Sequence, residues 1–234
     1  LGFPTVLMSP LAFLSHPSRW LWAIHRHRGT LSGGPNFSYE LCLKRIEDAE
    51  LEGLELSCWR YAFNGAEPVS PDTLAAFQKR LGPYGLTAGA LQPVYGRAEA
   101  SGGLAFPAPG THYRIDRIER AAFQNQGEAR PAPKEDAAAL EVPCCGCVIA
   151  AHHLRVVDSA GVELADRQEG RLQFKGPSAT SGYYRNPEQT RKLFAGTWLD
   201  TGDLAYLADG ELYLSGRAKD IIIRGGRNLY PYEL

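Results

Sequence analysis

The dipeptide Asp209-Gly210 stands between two alternating runs, LAYL at 204–207 and ELYLSG at 211–216. Asp-Gly suits a two-residue turn in which both central positions take positive φ, and such a turn joins antiparallel strands. Leu212 and Leu214 alternate with Glu211, Tyr213 and Ser215, the period of a half-buried strand. The chain must therefore contain an antiparallel layer late in its length. Upstream, HLRVVD at 153–158 and GRLQFKG at 170–176 read as two more strands flanking a loop. One helix interrupts them, NPEQTRKLF, with Asn186 as cap and Pro187 at its first position.

The first hundred residues follow another rhythm. HPSRWLWAIHRHRG reads as a helix with Pro17 in its first turn, Trp20, Leu21 and Ile24 on one face, and Gly29 as stop. PNFSYELCLKRI opens a second helix at Pro35, and RYAF at 60–63 is a short buried strand. Ser70 caps a third helix, with Pro71 at its first position, Leu74, Phe77 and Leu81 on one face, and Gly82 at its end. Strand, turn and helix in alternation indicate an α/β layer on a mainly parallel sheet. Residues 107–143 carry several prolines, mixed charge and weak periodicity, and read as a long excursion. The expected fold class is α/β: part of a parallel-sheet subdomain over 1–111, an insertion at 112–142, and a mainly antiparallel β subdomain over 143–219. The first strand of a further domain is expected within 220–234.

Composition removes several functions. Twenty-five basic residues against 26 acidic leave a net charge of −1, so nucleic acid is a poor partner. No apolar stretch is long enough for a membrane span, and nothing at the start reads as a signal peptide. The first residue is Leu1, so the gene product is expected to begin upstream. Five irregularly spaced cysteines give no disulfide framework and suit a reducing, cytoplasmic setting.

Three stretches carry chemistry. In TGD at 201–203, Asp203 follows a Thr-Gly turn and reads as a surface-facing carboxylate able to accept two hydrogen bonds, as vicinal ribose hydroxyls require. Standing alone it is a turn cap, but Arg217 follows one hairpin later and Lys219-Asp220 just after. In FNGAEP, the small residues Gly65 and Ala66 let backbone approach a flat ligand. In PVYGRAEA, Tyr95 can stack on a purine and Glu99 can bind a hard divalent cation; singly, they read as packing and solvation. Two further stretches compete as decoys. Cys144, Cys145, Cys147, His152 and His153 lie close together, but adjacent cysteines are awkward zinc co-ligands. GTLSGGPN is glycine-rich and opens a helix, yet lacks the lysine of a phosphate loop.

Taken in order, SGGPNFSYELC, WRYAFNGAEPVSP, YGRAEA and GPSATSGYYRNPEQT resemble the adenylate-forming superfamily, and within it the fatty acyl-AMP ligases most. The resemblance implies that Asn64, Gly65, Ala66 and Glu67 line an adenine and that Tyr95 stacks on it, with Gly96 and Ala98 beside the nucleotide. It implies Glu99 as the magnesium ligand, Asp203 on the ribose hydroxyls, Arg217 near ribose and phosphate, and Asp220 as hinge to a small C-terminal domain. The reaction implied is ATP-dependent activation of a fatty acid to an acyl-adenylate, passed to an acyl carrier protein. A fatty acyl-CoA synthetase and a degenerate, non-catalytic binding module are the alternatives. The lysine-bearing triphosphate loop and the closing domain are expected outside these residues, so no catalytic residue is assigned here and the isolated chain is expected to be inactive. Ala98, where most of the superfamily has Thr, fits the ligases. Arg97, where they carry an aliphatic residue, and CCGCVIAAHH, where an Arg-bearing turn is lost, depart from the pattern. Residues 112–142 resemble extra residues of the ligases that pack on the small domain; they are expected to hold the adenylate-forming pose, a plain surface loop being the alternative.

Overall fold

A computed structural model describes residues 2–219 and the backbone of two short strands, 222–224 and 227–229. The chain forms two compact units, Leu1–Gln92 with Pro109–Tyr113, and Pro93–Ala108 with Arg114–Leu234. Residues 93–108 thus belong by contact with the second unit.

The first unit comprises α1 (Pro10–Ser15), α2 (Ser18–His27), β1 (Leu31–Gly34), α3 (Asn36–Arg45), β2 (Tyr61–Asn64), α4 (Pro71–Leu81) and β3 (Leu91–Pro93). The strands form one sheet in the order β1-β2-β3, with β1 and β2 parallel and Leu31 opposite Tyr61. Gly33 permits this pairing, since a Cβ there would lie 2.0 Å from the Phe63 carbonyl oxygen. Within GTLSGGPN, Gly33 thus serves close strand approach. Ser70 caps α4 by accepting from the Thr73 N–H at 3.2 Å, and Leu74, Phe77 and Leu81 are buried on one face. Tyr39, Trp59 and Phe77 meet edge-to-face in the core, with Trp20 against Trp59 at 5.2 Å. Helix α2 stops one residue earlier than expected: Arg28, not Gly29, takes the left-handed conformation (φ 52°, ψ 42°). The Gly29 N–H then reaches the Ile24 carbonyl at 2.9 Å, which offsets the roughly 1–2 kcal/mol cost of a side chain in that region.

The second unit contains β4 (Ala105–Phe106), β5 (Ile115–Ile118), α5 (Arg120–Gln126), β6 (Leu140–Pro143), β7 (Cys147–Val148), β8 (His153–Val157), β9 (Gly170–Lys175), α6 (Pro187–Leu193), β10 (Phe194–Ala195), β11 (Trp198–Ala208), β12 (Glu211–Arg217), β13 (Ile222–Arg224) and β14 (Arg227–Leu229). Its main sheet is antiparallel and runs β10-β11-β9-β8, with β12 paired to β11. Val156, Leu172, Phe174, Leu199 and Leu212 fill its core. The β11–β12 turn has φ 53° at Asp209 and 77° at Gly210, the positive pair that Asp-Gly favours. The register then slips: Ala205 faces Leu214 while Leu204 faces Gly216, so Ser215 has no opposite residue. Asn186 caps α6 through the Gln189 N–H at 3.1 Å.

Residues 112–142, read as an excursion, are folded. β5 and β6 pair antiparallel with α5 between them, and Ile118, Phe123, Leu140 and Val142 pack with Cys144, Tyr206, Ala208 and Tyr213. Tyr206 and Tyr213 stack with centroids 5.0 Å apart. Asp116 accepts from the Tyr206 hydroxyl at 2.8 Å and from Arg167 Nη1 at 3.0 Å, pinning the segment to β11 and to the loop before β9. Strands of four residues and a helix of seven repeat too few times to show a period, which is why the pattern looked weak.

Candidate functional site

Thr201, Gly202 and Asp203 lie inside β11 and not in a turn before it. The β9 register shifts between Asp200 and Leu204, and Gly202 takes φ 70° in the gap. Thr201 Oγ1 donates to the Leu172 carbonyl at 2.8 Å and accepts from the Asp203 N–H at 3.1 Å, while the Gly202 N–H donates to Asp200 Oδ1 at 2.8 Å. These bonds fix the carboxylate of Asp203, which is only 7% exposed and so not surface-facing. Its Oδ2 accepts from the Tyr95 hydroxyl at 2.6 Å and from Arg97 Nη1 at 2.9 Å, and its Oδ1 lies 3.6 Å from Arg217 Nε. Arg217 stands directly opposite Asp203 in the β11–β12 ladder. Arg97 extends the cluster, donating through Nε to Glu99 Oε2 at 3.2 Å, and Tyr183 donates to Glu99 Oε1 at 2.6 Å.

Burial pushes the Tyr95 hydroxyl well above the ordinary phenol range, and the Asp203 charge that holds its proton pushes it further. Burial opposes the charge on Arg97, but Tyr95, Asp203 and Glu99 outweigh it and raise its pKa. Burial likewise works to raise Glu99, yet the Tyr183 hydrogen bond, a backbone hydrogen bond and Arg97 hold it below its usual value. The cluster is thus two carboxylates shared by two tyrosine hydroxyls and two guanidinium groups.

Its backbone is built for close approach. Tyr95 exchanges both backbone hydrogen bonds with Ala105, and a Cβ on Gly96 would fall 1.7 Å from the Gly102 carbonyl oxygen. A single turn at Ala98–Ala100 closes on the Arg97 carbonyl and carries Glu99. The loop after β9 ties that turn down: the Thr180 N–H donates to the Glu99 carbonyl at 2.8 Å, and Ser178 Oγ donates to the Ala100 carbonyl at 3.1 Å. His152 Nε2 in turn lies 2.6 Å from Ser178 Oγ. Sequence reasoning singled out neither Tyr183 nor Ser178, although both lie within GPSATSGYYRNPEQT, the stretch that carried part of the resemblance.

The second unit therefore brings together Tyr95, Gly96, Ala98, Glu99, Asp203 and Arg217. Asn64, Gly65, Ala66 and Glu67 lie in the first unit. There Asn64 is fully buried and donates to Asn36 Oδ1 at 3.0 Å, with its own Oδ1 unpartnered. Ala66, not Gly65, takes positive φ, at 70°. Glu67 accepts from the Phe37 N–H at 2.5 Å and places its charge on the N-terminus of α3, which has no side-chain cap of its own. Asp220 lies outside the described residues. Cys144 and Cys145 pack into different cores, and Cys147 is exposed. Magnesium takes one or two carboxylates and completes its shell with phosphates and water. Glu99 supplies one such carboxylate, and among the described residues no group of three or more Asp, Glu, His or Cys gathers for a metal. The donor set suits a cation that arrives with phosphates. No described helix is long and apolar enough to cross a membrane.

A parallel α/β layer followed by an antiparallel unit is shared with solved adenylate-forming enzymes: a fatty acid AMP ligase from Legionella pneumophila superposes with TM-score 0.87 at 35% identity, over 91% of this chain and 38% of that one. A chain from structural studies of fatty acyl-adenylate ligases of E. coli and L. pneumophila superposes with TM-score 0.90 at 36% identity, over 95% and 40%. The chain belongs to the AMP-binding enzyme family, whose model matches residues 1–184. It is 36% identical to the medium-chain-fatty-acid–[acyl-carrier-protein] ligase TtuA of Teredinibacter turnerae, over 100% of this chain and 39% of the relative. It is 38% identical to a putative acyl-CoA synthetase of Caulobacter vibrioides, over 95% and 39%. The chain thus spans about two fifths of the curated relatives it matches.

Proposed function

We propose that this chain supplies the nucleoside floor of an enzyme that activates a fatty acid with ATP and hands the acyl group to an acyl carrier protein. The carrying observation is the fixed, buried carboxylate of Asp203, with Tyr95 and Arg217 on its two oxygens. A carboxylate held this way accepts both hydroxyls of a ribose without paying to order itself. The fatty-acid carboxylate attacks the α-phosphate, its oxygen forms the new P–O bond, and pyrophosphate leaves with the bonding electrons. Glu99 would hold the Mg2+ that, when bound, neutralises phosphate charge. Tyr95 takes the adenine in this reading, and Asp220 is the hinge. The five cysteines, all free, suit the reducing cytoplasm.

The choice of carrier protein rests on TtuA and on the Moorena producens relative JamA, itself a medium-chain-fatty-acid–[acyl-carrier-protein] ligase. We assign to residues 112–142 the task of holding the adenylate-forming pose and disfavouring transfer to CoA. Fatty-acid-dependent ATP–pyrophosphate exchange by the complete enzyme, followed by product analysis with carrier protein and with CoA, tests the reading. Exchange with acyl-carrier product supports it. Efficient acyl-CoA formation moves the assignment to a synthetase, and absence of exchange to a binding module.

A further inference from the structure

The proposed reaction leaves two members of the cluster, Arg97 and Tyr183, without a task, and Arg97 is the charged one. Its guanidinium lies between the two carboxylates, Nη1 at 2.9 Å from Asp203 and Nε at 3.2 Å from Glu99, with the side chain 21% exposed. A planar fork spans two such acceptors in fixed geometry, whereas an ammonium offers a compact point charge with no preset direction. Tyr183 occupies the other oxygen of Glu99. Both oxygens of Glu99 are therefore engaged, and a fixed positive charge rests against one of them. A divalent cation approaching Glu99 alone meets a like charge and must break a charge-assisted hydrogen bond.

Resting on the nucleotide reading above, we propose that Arg97 couples cation binding to nucleotide binding: it is the resident counter-ion of Glu99 and releases it only when phosphates arrive to receive the guanidinium. Free Mg2+ then finds no site in the nucleotide-free enzyme, whereas Mg2+ and nucleotide each raise the other's affinity, as coupled ligands must. Arg97 determines how much Mg2+ the site demands before it closes on nucleotide.

Calorimetric titration of a non-hydrolysable ATP analogue into the complete enzyme at a series of MgCl2 concentrations tests this. In Arg97→Met, the MgCl2 concentration for half-maximal nucleotide affinity falls about tenfold or more, because one charge-assisted hydrogen bond no longer has to be surrendered. MgCl2 titrated alone then gives measurable heat. Arg97→Lys retains charge without the span and falls between the two. If Arg97→Met does not fold, the lysine variant carries the test. An unchanged or higher Mg2+ midpoint in the folded variants overturns the coupling role while leaving the nucleotide site intact. Failure of the unsubstituted enzyme to bind the analogue at any MgCl2 concentration overturns the site itself, and the coupling with it.

Discussion

Replacing Asp116 with alanine should loosen residues 115–143 without disturbing the sheet that carries Asp203. Asp116 holds two donors, the Tyr206 hydroxyl at 2.8 Å and Arg167 Nη1 at 3.0 Å, and its side chain is 12% exposed. A hydrogen bond to a charged group contributes about 1.5–3 kcal/mol. Tyr206 is fully buried and loses its acceptor outright, whereas the Arg167 side chain is 31% exposed and can turn to water. The sum is discounted on that side to about 2–3 kcal/mol. At about 1.4 kcal/mol per factor of ten, local opening of β5 and β6 becomes about 30- to 140-fold more frequent. Hydrogen–deuterium exchange read by mass spectrometry should show this acceleration in peptides covering 115–126 and 140–145, with 153–157 unchanged. Unprotected amides at 115–118 in the parent enzyme, or no acceleration in the variant, would refute the view that this segment is a pinned part of the second unit.

Phe123→Ala empties the fully buried centre of the same cluster and should cost about 3–5 kcal/mol, read as a lowered urea midpoint. Asp203→Ala strands the Tyr95 hydroxyl and Arg97, so it should destabilise the second unit as well as weaken nucleotide binding. Asp203→Asn keeps an acceptor and should lose about 1.5–3 kcal/mol of nucleotide affinity with a smaller stability cost; equal affinity in a folded variant removes Asp203 from the site. Gly96→Ala drives a Cβ into the Gly102 carbonyl and should weaken nucleotide binding through displacement of Glu99, which calorimetry detects. Burial and the Asp116 charge hold the Tyr206 proton, so its folded pKa lies above its unfolded value near 10. Its contribution is complete below that value and is lost as pH rises beyond it, because the unfolded chain releases the proton first. Tyr206→Phe should therefore flatten the fall in stability above about pH 10, and an unchanged slope counts against this assignment.

What was legible in the sequence was local chemistry. Ser70 and Asn186 cap the helices they precede, and Asp209-Gly210 makes the turn its φ preference demands, because each signal needs only residues a few positions away. The motif stretches also yielded Tyr95, Glu99 and Asp203 as one set. Their geometry was not legible. Tyr95 and Asp203 are 108 residues apart and Tyr183 is 84 from Glu99, separations no periodicity reports. Asp203 reads as a turn residue because the register shift at 200–204 interrupts the alternation that would have marked a strand. Asn64 and Glu67, expected at a ligand, also bond within the first unit, contacts that composition does not report.

The unpaired Ser215 sets a question of parity. Side chains alternate along a strand, so whether Arg217 shares a face with Asp203 depends on an even or odd count back from the turn. Had the register of the turn end held throughout, Asp203 would stand opposite Gly216 and the guanidinium would emerge on the other side of the sheet. Ser215, fully buried and bonded to Glu169, is the residue the ladder skips so that Arg217 meets the carboxylate. Loss of Ser215 alone would close the bulge and leave Arg217 opposite Asp203, whereas one further residue between Gly210 and Arg217 would need a second skip to keep the pair. In this hairpin the bulge absorbs length, so Asp203 and Arg217 meet across the ladder although β12 carries one residue more than β11 can face.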